Sequence, residues 1–422
     1  MPQSLIGQAS AHAFFSMVRG RLAVQDGQER LTEAWPGRRR PKHEVSTMRL
    51  ESRSIGCRLV MAAVALGLLF GADAALAQSP PLKIPFVDEW AASPHARLGA
   101  EAFNHWNAEG EVPVPCARCH STPGFLDYIG ADGTPPGLDG PAPVGTVISC
   151  VACHNDVTIR MDSVTFPSGA VVDKVGDDAR CMTCHQGRES TVSVDAQLAG
   201  AEPDTVSDEL RFINVHYRAA GATRYGTEAR GAYEYPGLTY VGYFLHDPDS
   251  QRCADCHQQH TVRVMVQACA TCHQAPQLTR LADLVKIRKN SALDFDGDGN
   301  VEEGIAEEIT TLHAALYQAI QGYALAIGGQ AIVYSAGTYP YFFNDSNANG
   351  KVDPGEAVFP NAFKSWTPRL LRAAYNYQYV VEDPGAYTHN PLYVIQAMHD
   401  SLQDLGTRVE VDMAGMARPE AE

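Results

Sequence analysis

The chain has 422 residues, of which 45% are hydrophobic and 19% charged, a composition that excludes an intrinsically disordered protein. Its net charge of -16 argues against a nucleic-acid binder that works by neutralising phosphates. No apolar run reaches the ~18–20 residues of a membrane-spanning helix, so no transmembrane segment is expected in the exported chain.

The first 77 residues read as a leader. Arg49, Arg53 and Arg58 form a basic stretch, Leu59 to Phe70 an apolar run, and Ala75-Leu76-Ala77 a small-residue cleavage pattern. Cleavage would leave Gln78 as the first residue. Residues 1–47 have no place ahead of such a signal, which points to a start assigned too early or, alternatively, to a longer natural leader. Cys57 precedes the apolar run, the wrong order for a lipoprotein box.

Past the leader, all ten remaining cysteines fall in one motif. They are Cys116-Ala-Arg-Cys119-His120, Cys150-Val-Ala-Cys153-His154, Cys181-Met-Thr-Cys184-His185, Cys253-Ala-Asp-Cys256-His257 and Cys269-Ala-Thr-Cys272-His273. Chance predicts on the order of one hundredth of a Cys-x-x-Cys-His match in such a chain. The spacing suits covalent haem: two thiols add across the two vinyl groups, and the following histidine becomes the proximal ligand of the iron. A disulfide framework, paired zinc sites or a thioredoxin-like redox pair would each leave the five histidines unexplained. Five covalently attached haem c groups are therefore expected, with His120, His154, His185, His257 and His273 as proximal ligands.

Successive motifs begin 34, 31, 72 and 16 residues apart, so the last two haems must be close neighbours. The long gap, 186–252, is rich in aromatic residues. Gly231 to Tyr243 reads as a hairpin turning at Pro236-Gly237, and a second hairpin is expected within Val157–Val172, turning at Pro167-Ser168-Gly169.

A filled sixth iron position suits electron transfer, whereas an open one permits chemistry on a small ligand. Past the leader, eight histidines outside the motifs could supply distal ligands. His95 and His105 precede the first motif, His216 and His246 flank the aromatic segment, His389 lies just ahead of a helix start, and His260 follows His257 by three residues. These six are the distal candidates. His313 and His399 sit in helical patterns and read as packing or surface residues.

Residues 281–422 contain no cysteine. Three helices are predicted, over about 306–327, 366–381 and from Pro391, capped by Asn390, to about Gly406. Between the first two, Asp345, Asn347, Asn349, Lys351, Asp353 and Glu356 match a twelve-residue calcium loop, with Gly350 at its turn. An earlier loop, with Asp294, Asp296, Asp298 and Asn300, begins in the same way. Its twelfth position is Ile305, so Glu303 or Glu307 would have to close it. One or two bound calcium ions, acting as braces, are expected.

With its five motifs, and with Cys184-His-Gln-Gly-Arg-Glu-Ser190, Asn214-Val-His216-Tyr217 and Ala373-Ala-Tyr-Asn-Tyr377, the chain resembles exported bacterial multihaem c-type cytochromes that join a haem-rich part to a calcium-loop helical part. The resemblance covers about 88–406. It implies covalent haem c, mostly bis-histidine iron, and respiratory or extracellular electron transfer. Ammonia-forming nitrite reductases often carry Cys-x-x-Cys-Lys in place of one motif, and no such motif occurs here.

The expected architecture is mainly α with much irregular structure and small β-hairpins. A haem-packed domain over 78–280 is followed by a helical calcium-loop region over 281–410 and a tail over 411–422. The expected function is non-enzymatic electron transfer in the periplasm or at the cell surface, with redox proteins of a respiratory chain as partners. The alternative is an oxidoreductase acting on a small nitrogen or sulfur compound at one five-coordinate haem. Self-assembly, with a neighbouring copy donating a distal histidine such as His95, is a third arrangement.

Overall fold

The computed structural model describes residues 83–274, 277–288 and 291–421. The leader and its cleavage site lie outside them. No helix among the described residues is long and apolar enough to cross a membrane.

The described chain is mostly helical, with short two-stranded ladders. Helices α1 (Val87–Ala91) and α2 (Glu101–Asn104) lead to strand β1 (Glu111–Val112), α3 (Val114–His120) and α4 (Thr122–Ile129). Strand β2 (Ala142–Pro143) pairs with β1. Helix α5 (Cys150–Cys153) precedes the hairpin of β3 (Ser163–Thr165) and β4 (Val171–Asp173). Then come α6 (Asp178–Met182), α7 (Thr191–Leu198), α8 (Ala220–Tyr225), α9 (Cys253–Cys256) and α10 (Val266–Cys272). The long elements follow: α11 (Ile305–Ala326), the ladder of β5 (Ile332–Tyr334) and β6 (Phe342–Asn344), α12 (Pro368–Glu382), α13 (Ala386–His389) and α14 (Pro391–Gly406).

The three predicted C-terminal helices form for legible reasons. Ile309, Leu312, Leu316, Ile320 and Tyr323 recur every three or four residues along α11 and are all buried. The Thr367 hydroxyl accepts the Leu370 N–H at the start of α12, and the Asn390 amide oxygen accepts the Tyr393 N–H at the start of α14. A proline at the first position of each helix removes an N–H that would have no partner there.

Helix α12 is buried on nearly every side. Helices α11 and α14, the β5–β6 ladder through Tyr334 and Phe342, and the segment from Ile213 to Tyr240 all pack against it. The largest core therefore draws on residues from Val194 to Leu405, on both sides of position 280.

The segment 231–243 is not the hairpin its alternation suggests. It turns at Pro236-Gly237 but contains no strand. Its backbone bonds to helix side chains instead: the Tyr233 N–H donates to Asn376 Oδ1 at 2.7 Å and the Tyr233 carbonyl accepts from Asn376 Nδ2 at 3.0 Å. The Gly231 carbonyl accepts from the Tyr375 hydroxyl, and the Val241 N–H donates to Gln396 Oε1. Helix amides and phenols thus satisfy a buried backbone that a ladder would otherwise pair. The other expected hairpin forms at 163–173 with its turn as placed, while Thr158–Arg160 is a 3-10 turn.

Around the first two motifs the apolar clusters are small. Val112, Ala117 and Ala142 make one, and Phe125, Ile129 and Ala152 another.

Candidate functional site

Four motif histidines close the same local turn. The backbone N–H of His154, His185, His257 and His273 donates to the carbonyl of the first cysteine of its motif, at 2.8–2.9 Å. One helical turn brings the two cysteines of each motif to one side and carries the histidine just past them. His120 ends α3 in the same way. None of the ten described cysteines is in a disulfide.

Opposite each motif histidine stands a histidine from elsewhere in the chain. The ring centres of His120 and His216 are 5.6 Å apart, and their Nε2 atoms 3.4 Å. The other pairs are His185 with His95 at 6.1 Å, His154 with His260 at 6.2 Å, His273 with His246 at 6.1 Å and His257 with His389 at 6.4 Å. Two imidazoles bound to one metal at about 2 Å each have ring centres about 6 Å apart. All five separations are of that size.

Hydrogen bonds prepare several of these rings. Nδ1 of His120 bonds to the Ala102 carbonyl at 2.8 Å, and Nδ1 of His257 to the Val262 carbonyl at 3.4 Å. Nδ1 of His389 lies 2.8 and 2.9 Å from the two carboxylate oxygens of Asp383. Bonding at Nδ1 leaves the Nε2 lone pair for a metal. Burial lowers the pKa of His95, His120 and His257, that of His185 to about 3 and that of His216 to about 4. Neutral imidazole is the ligating form. His389 differs: burial opposes its charged form, but Asp383 outweighs that and raises its pKa.

The distal set is held from across the chain. His216 has a φ of +66°, a left-handed conformation unusual for a residue with a side chain. Its neighbour Val215 is fixed on both sides, with its N–H donating to Gln378 Oε1 of α12 and its carbonyl accepting the Arg188 N–H, both at 2.9 Å. Helix α13 ends in His389. The cysteine-free part thus supplies one of the five opposed histidines and clamps the segment that bears another.

Five of the six distal candidates face a motif histidine. His105 does not: its Nδ1 lies 2.7 Å from Glu101, and its ring packs on Trp106, which packs on His120. His313 is buried against Tyr377 with Nε2 2.8 Å from that residue's carbonyl, and His399 lies beside Asp400. The pairing of His260 with a motif other than its neighbour's could not be read from spacing. A tight reversal over Gln258–Val264 produces it, in which Gln258 Oε1 accepts the His260 N–H.

The motifs also adjoin one another. Cys119 lies near enough to Cys184, and Cys181 to Cys253, for each thiol to perturb its partner electrostatically. Cys184 Sγ reaches the Arg118 carbonyl at 3.6 Å, Arg180 Nη1 donates to the Cys153 carbonyl at 2.9 Å, and the Cys253 N–H donates to Asp178 Oδ1 at 3.0 Å. The Met265 N–H, just ahead of α10, donates to the Cys256 carbonyl at 2.8 Å. The third motif therefore touches the first, second and fourth, and the fourth adjoins the fifth.

The loop 345–356 is folded on its own polar groups. The Asp345 carboxylate accepts N–H groups of Asn349 and Gly350, and Asn349 Oδ1 accepts that of Lys351. Asn347 and Asn349 both donate to Asp353 Oδ2 at 2.7 Å. Glu356 folds back to accept the Ser346 and Asp353 N–H groups. The loop 294–300 is similar, with Asp294 accepting from Gly297 and Gly299, and Asp298 from Asn300.

The chain is similar to polyhaem c-type cytochromes. It is 27% identical over 439 residues to the C-type polyheme cytochrome OmcB of Geobacter sulfurreducens, an alignment covering 89% of this chain and 53% of that relative. It is 28% identical over 216 residues to the C-type polyheme cytochrome OmcC of the same organism, covering 45% of this chain and 26% of that one. The chain thus spans about half the length of OmcB. No family model and no solved structure matches it. These similarities support a multihaem c-type cytochrome.

Proposed function

We propose that this chain is a five-haem c-type cytochrome that carries electrons outside the cytoplasmic membrane, in the periplasm or at the cell surface. Five histidine pairs at metal-bridging separation, one per motif, are the observation that carries this reading. Cys116 and Cys119, Cys150 and Cys153, Cys181 and Cys184, Cys253 and Cys256, and Cys269 and Cys272 would hold the haems covalently. Each bound haem would supply a one-electron iron couple. The chain's own part would be to hold each iron between two histidines, to fix the imidazole orientations through Ala102, Val262 and Asp383, and so to exclude small ligands.

Small apolar clusters around the first two motifs fit this reading, since attached haems would add apolar bulk there. The counterpart of His185 is His95 of the same chain, so a neighbouring copy is not needed to donate it. The two acidic loops are proposed as calcium braces, with Asp345, Asp353 and Glu356 in one and Asp294, Asp296 and Asp298 in the other. Partners are redox proteins, and the acidic surface favours basic docking faces.

Electron paramagnetic resonance of the oxidised, fully loaded protein tests this. Low-spin signals from every iron are expected. A high-spin iron that binds nitrite, hydroxylamine or sulfite would replace this reading with a catalytic one.

A further inference from the structure

The loop beginning at Asp294 carries an arrangement that the twelve-residue spacing does not describe. Two carboxylate triads overlap there, Asp294–Asp296–Glu308 and Asp296–Asp298–Glu303, each with one oxygen per residue mutually within 4.8 Å. Glu308 is already committed. Its Oε1 pairs with Arg288, and its Oε2 accepts the N–H groups of Phe295 and Asp296 at 2.8 and 3.0 Å. Glu303 is not so engaged, because its Oε1 is buried without a hydrogen-bond partner. Asp296 is only 5% exposed, and its Oδ2 is likewise buried and unpartnered. Orphaned carboxylate oxygens gathered this closely repel one another unless a cation or a shared proton lies between them. Several hard oxygens and a tight Gly-containing turn suit calcium.

The same loop holds the C-terminal segment. The Ala417 N–H donates to the Asp294 carbonyl at 2.7 Å. Gly297, at φ +81°, lies so close to the segment that an added Cβ would stand 2.6 Å from the Ala414 carbonyl. Just beyond, Arg418 donates to both oxygens of Asp400 at 2.7 and 2.9 Å and to the Thr239 carbonyl at 2.9 Å. Gln396 Nε2 donates to the Pro419 carbonyl at 3.0 Å.

We propose that Asp294, Asp296, Asp298 and Glu303 form a calcium site closed at the tenth position of the loop, and that its occupancy fastens the segment 413–419. The proposal rests on the calcium reading above for the choice of ion. The choice of Glu303 over Glu307 to close the loop, and the link to the tail, are its own.

The test uses the haem-loaded protein, stripped with a chelator, in a Asp345→Ala/Glu356→Gln background that disables the other loop. Calorimetric titration with calcium is expected to show one site. Glu303→Gln should weaken it at least about tenfold, whereas the exposed neighbour Glu302→Gln should leave it unchanged. Calcium should also slow tryptic cleavage after Arg408 several-fold in the parent and not in Glu303→Gln. Absence of calcium binding in the loop-disabled protein overturns the site, and equal affinity in Glu303→Gln overturns the closure. Cleavage indifferent to calcium overturns the link to the tail. The native protein, titrated in parallel, shows whether the other loop binds calcium by itself, so its failure is separable. An unchanged haem spectrum verifies folding, and Glu303→Asp, which shortens the same ligand, replaces Glu303→Gln if that variant loses its haem.

Discussion

His120 and His216 present their Nε2 atoms to each other at 3.4 Å although 96 residues separate them. Neither residue arranges this alone. Ala102 orients the first ring, and the second is carried on a left-handed residue whose neighbour is gripped by Gln378.

Removing one opposed ring should open one iron. In the oxidised protein, His216→Ala is expected to convert one of the low-spin signals to high-spin and to leave the others. His105→Ala should change none of them, since His105 faces no motif histidine among the described residues. High-spin iron in His105→Ala would move the distal role to that residue.

The contacts of the third motif predict where a local redox change spreads. His95→Met should raise the potential of the iron opposite His185, as axial methionine does in cytochromes c. In a titration followed by the haem-methyl resonances, the shift should perturb the haems of the first, second and fourth motifs more than that of the fifth. An equal effect on all four would contradict the adjacency of Cys184 with Cys119 and of Cys181 with Cys253.

Asn376 replaces a strand partner for Tyr233, bonding both its N–H and its carbonyl. Asn376→Ala leaves two buried backbone groups unsatisfied, at about 1–3 kcal/mol each. A clear fall in Tm with an unchanged haem spectrum is expected. An unchanged Tm would mean that the segment finds other partners.

Acid should destabilise the fold through two aspartates outside the Cys-x-x-Cys-His motifs. Thr279, through its N–H and hydroxyl, and then Arg280 hold Asp283 at about 2. For Asp204, burial raises the pKa, but hydrogen bonds from Arg369 and Tyr323 outweigh it and hold the group below its usual value. A depressed carboxylate contributes stability above its unfolded value near ~3.9, and that stability is lost as pH falls through the folded value. The Tm should therefore fall between about pH 4 and about pH 2, and Asp283→Asn should flatten the curve in that window. Equal slopes in both proteins would remove Asp283 from the account.

The motifs, the three long helices and both acidic loops were legible because each rests on local spacing: Cys-x-x-Cys-His, the apolar face of α11, the caps Thr367 and Asn390. Which histidine meets which was not. His260 pairs with His154 and not with its neighbour's motif because a reversal at Gln258 turns it away. His105 carries the same signals as His95, yet its ring is taken by Glu101 and Trp106. The aromatic segment misled for a related reason. Its alternating tyrosines look like one face of a ladder, but the partners are Asn376, Tyr375 and Gln396 on helices, far away in the sequence. The boundary expected near 280 follows the cysteine count, whereas the core follows α12.

That core has a bearing on how such a protein is made. A chain made in sequence order presents Cys253, Cys256 and His257 well before His389. It also presents the loop bearing His216 before α12 exists to grip it. On the five-haem reading proposed above, attachment of the haems could begin on a chain whose histidine pairs are incomplete. On that reading the last helices would act as a completion step: until they fold, the haems of the first and fourth motifs would lack a secured second histidine. A chain stopped before Pro368 should carry its haems and still be spectroscopically immature.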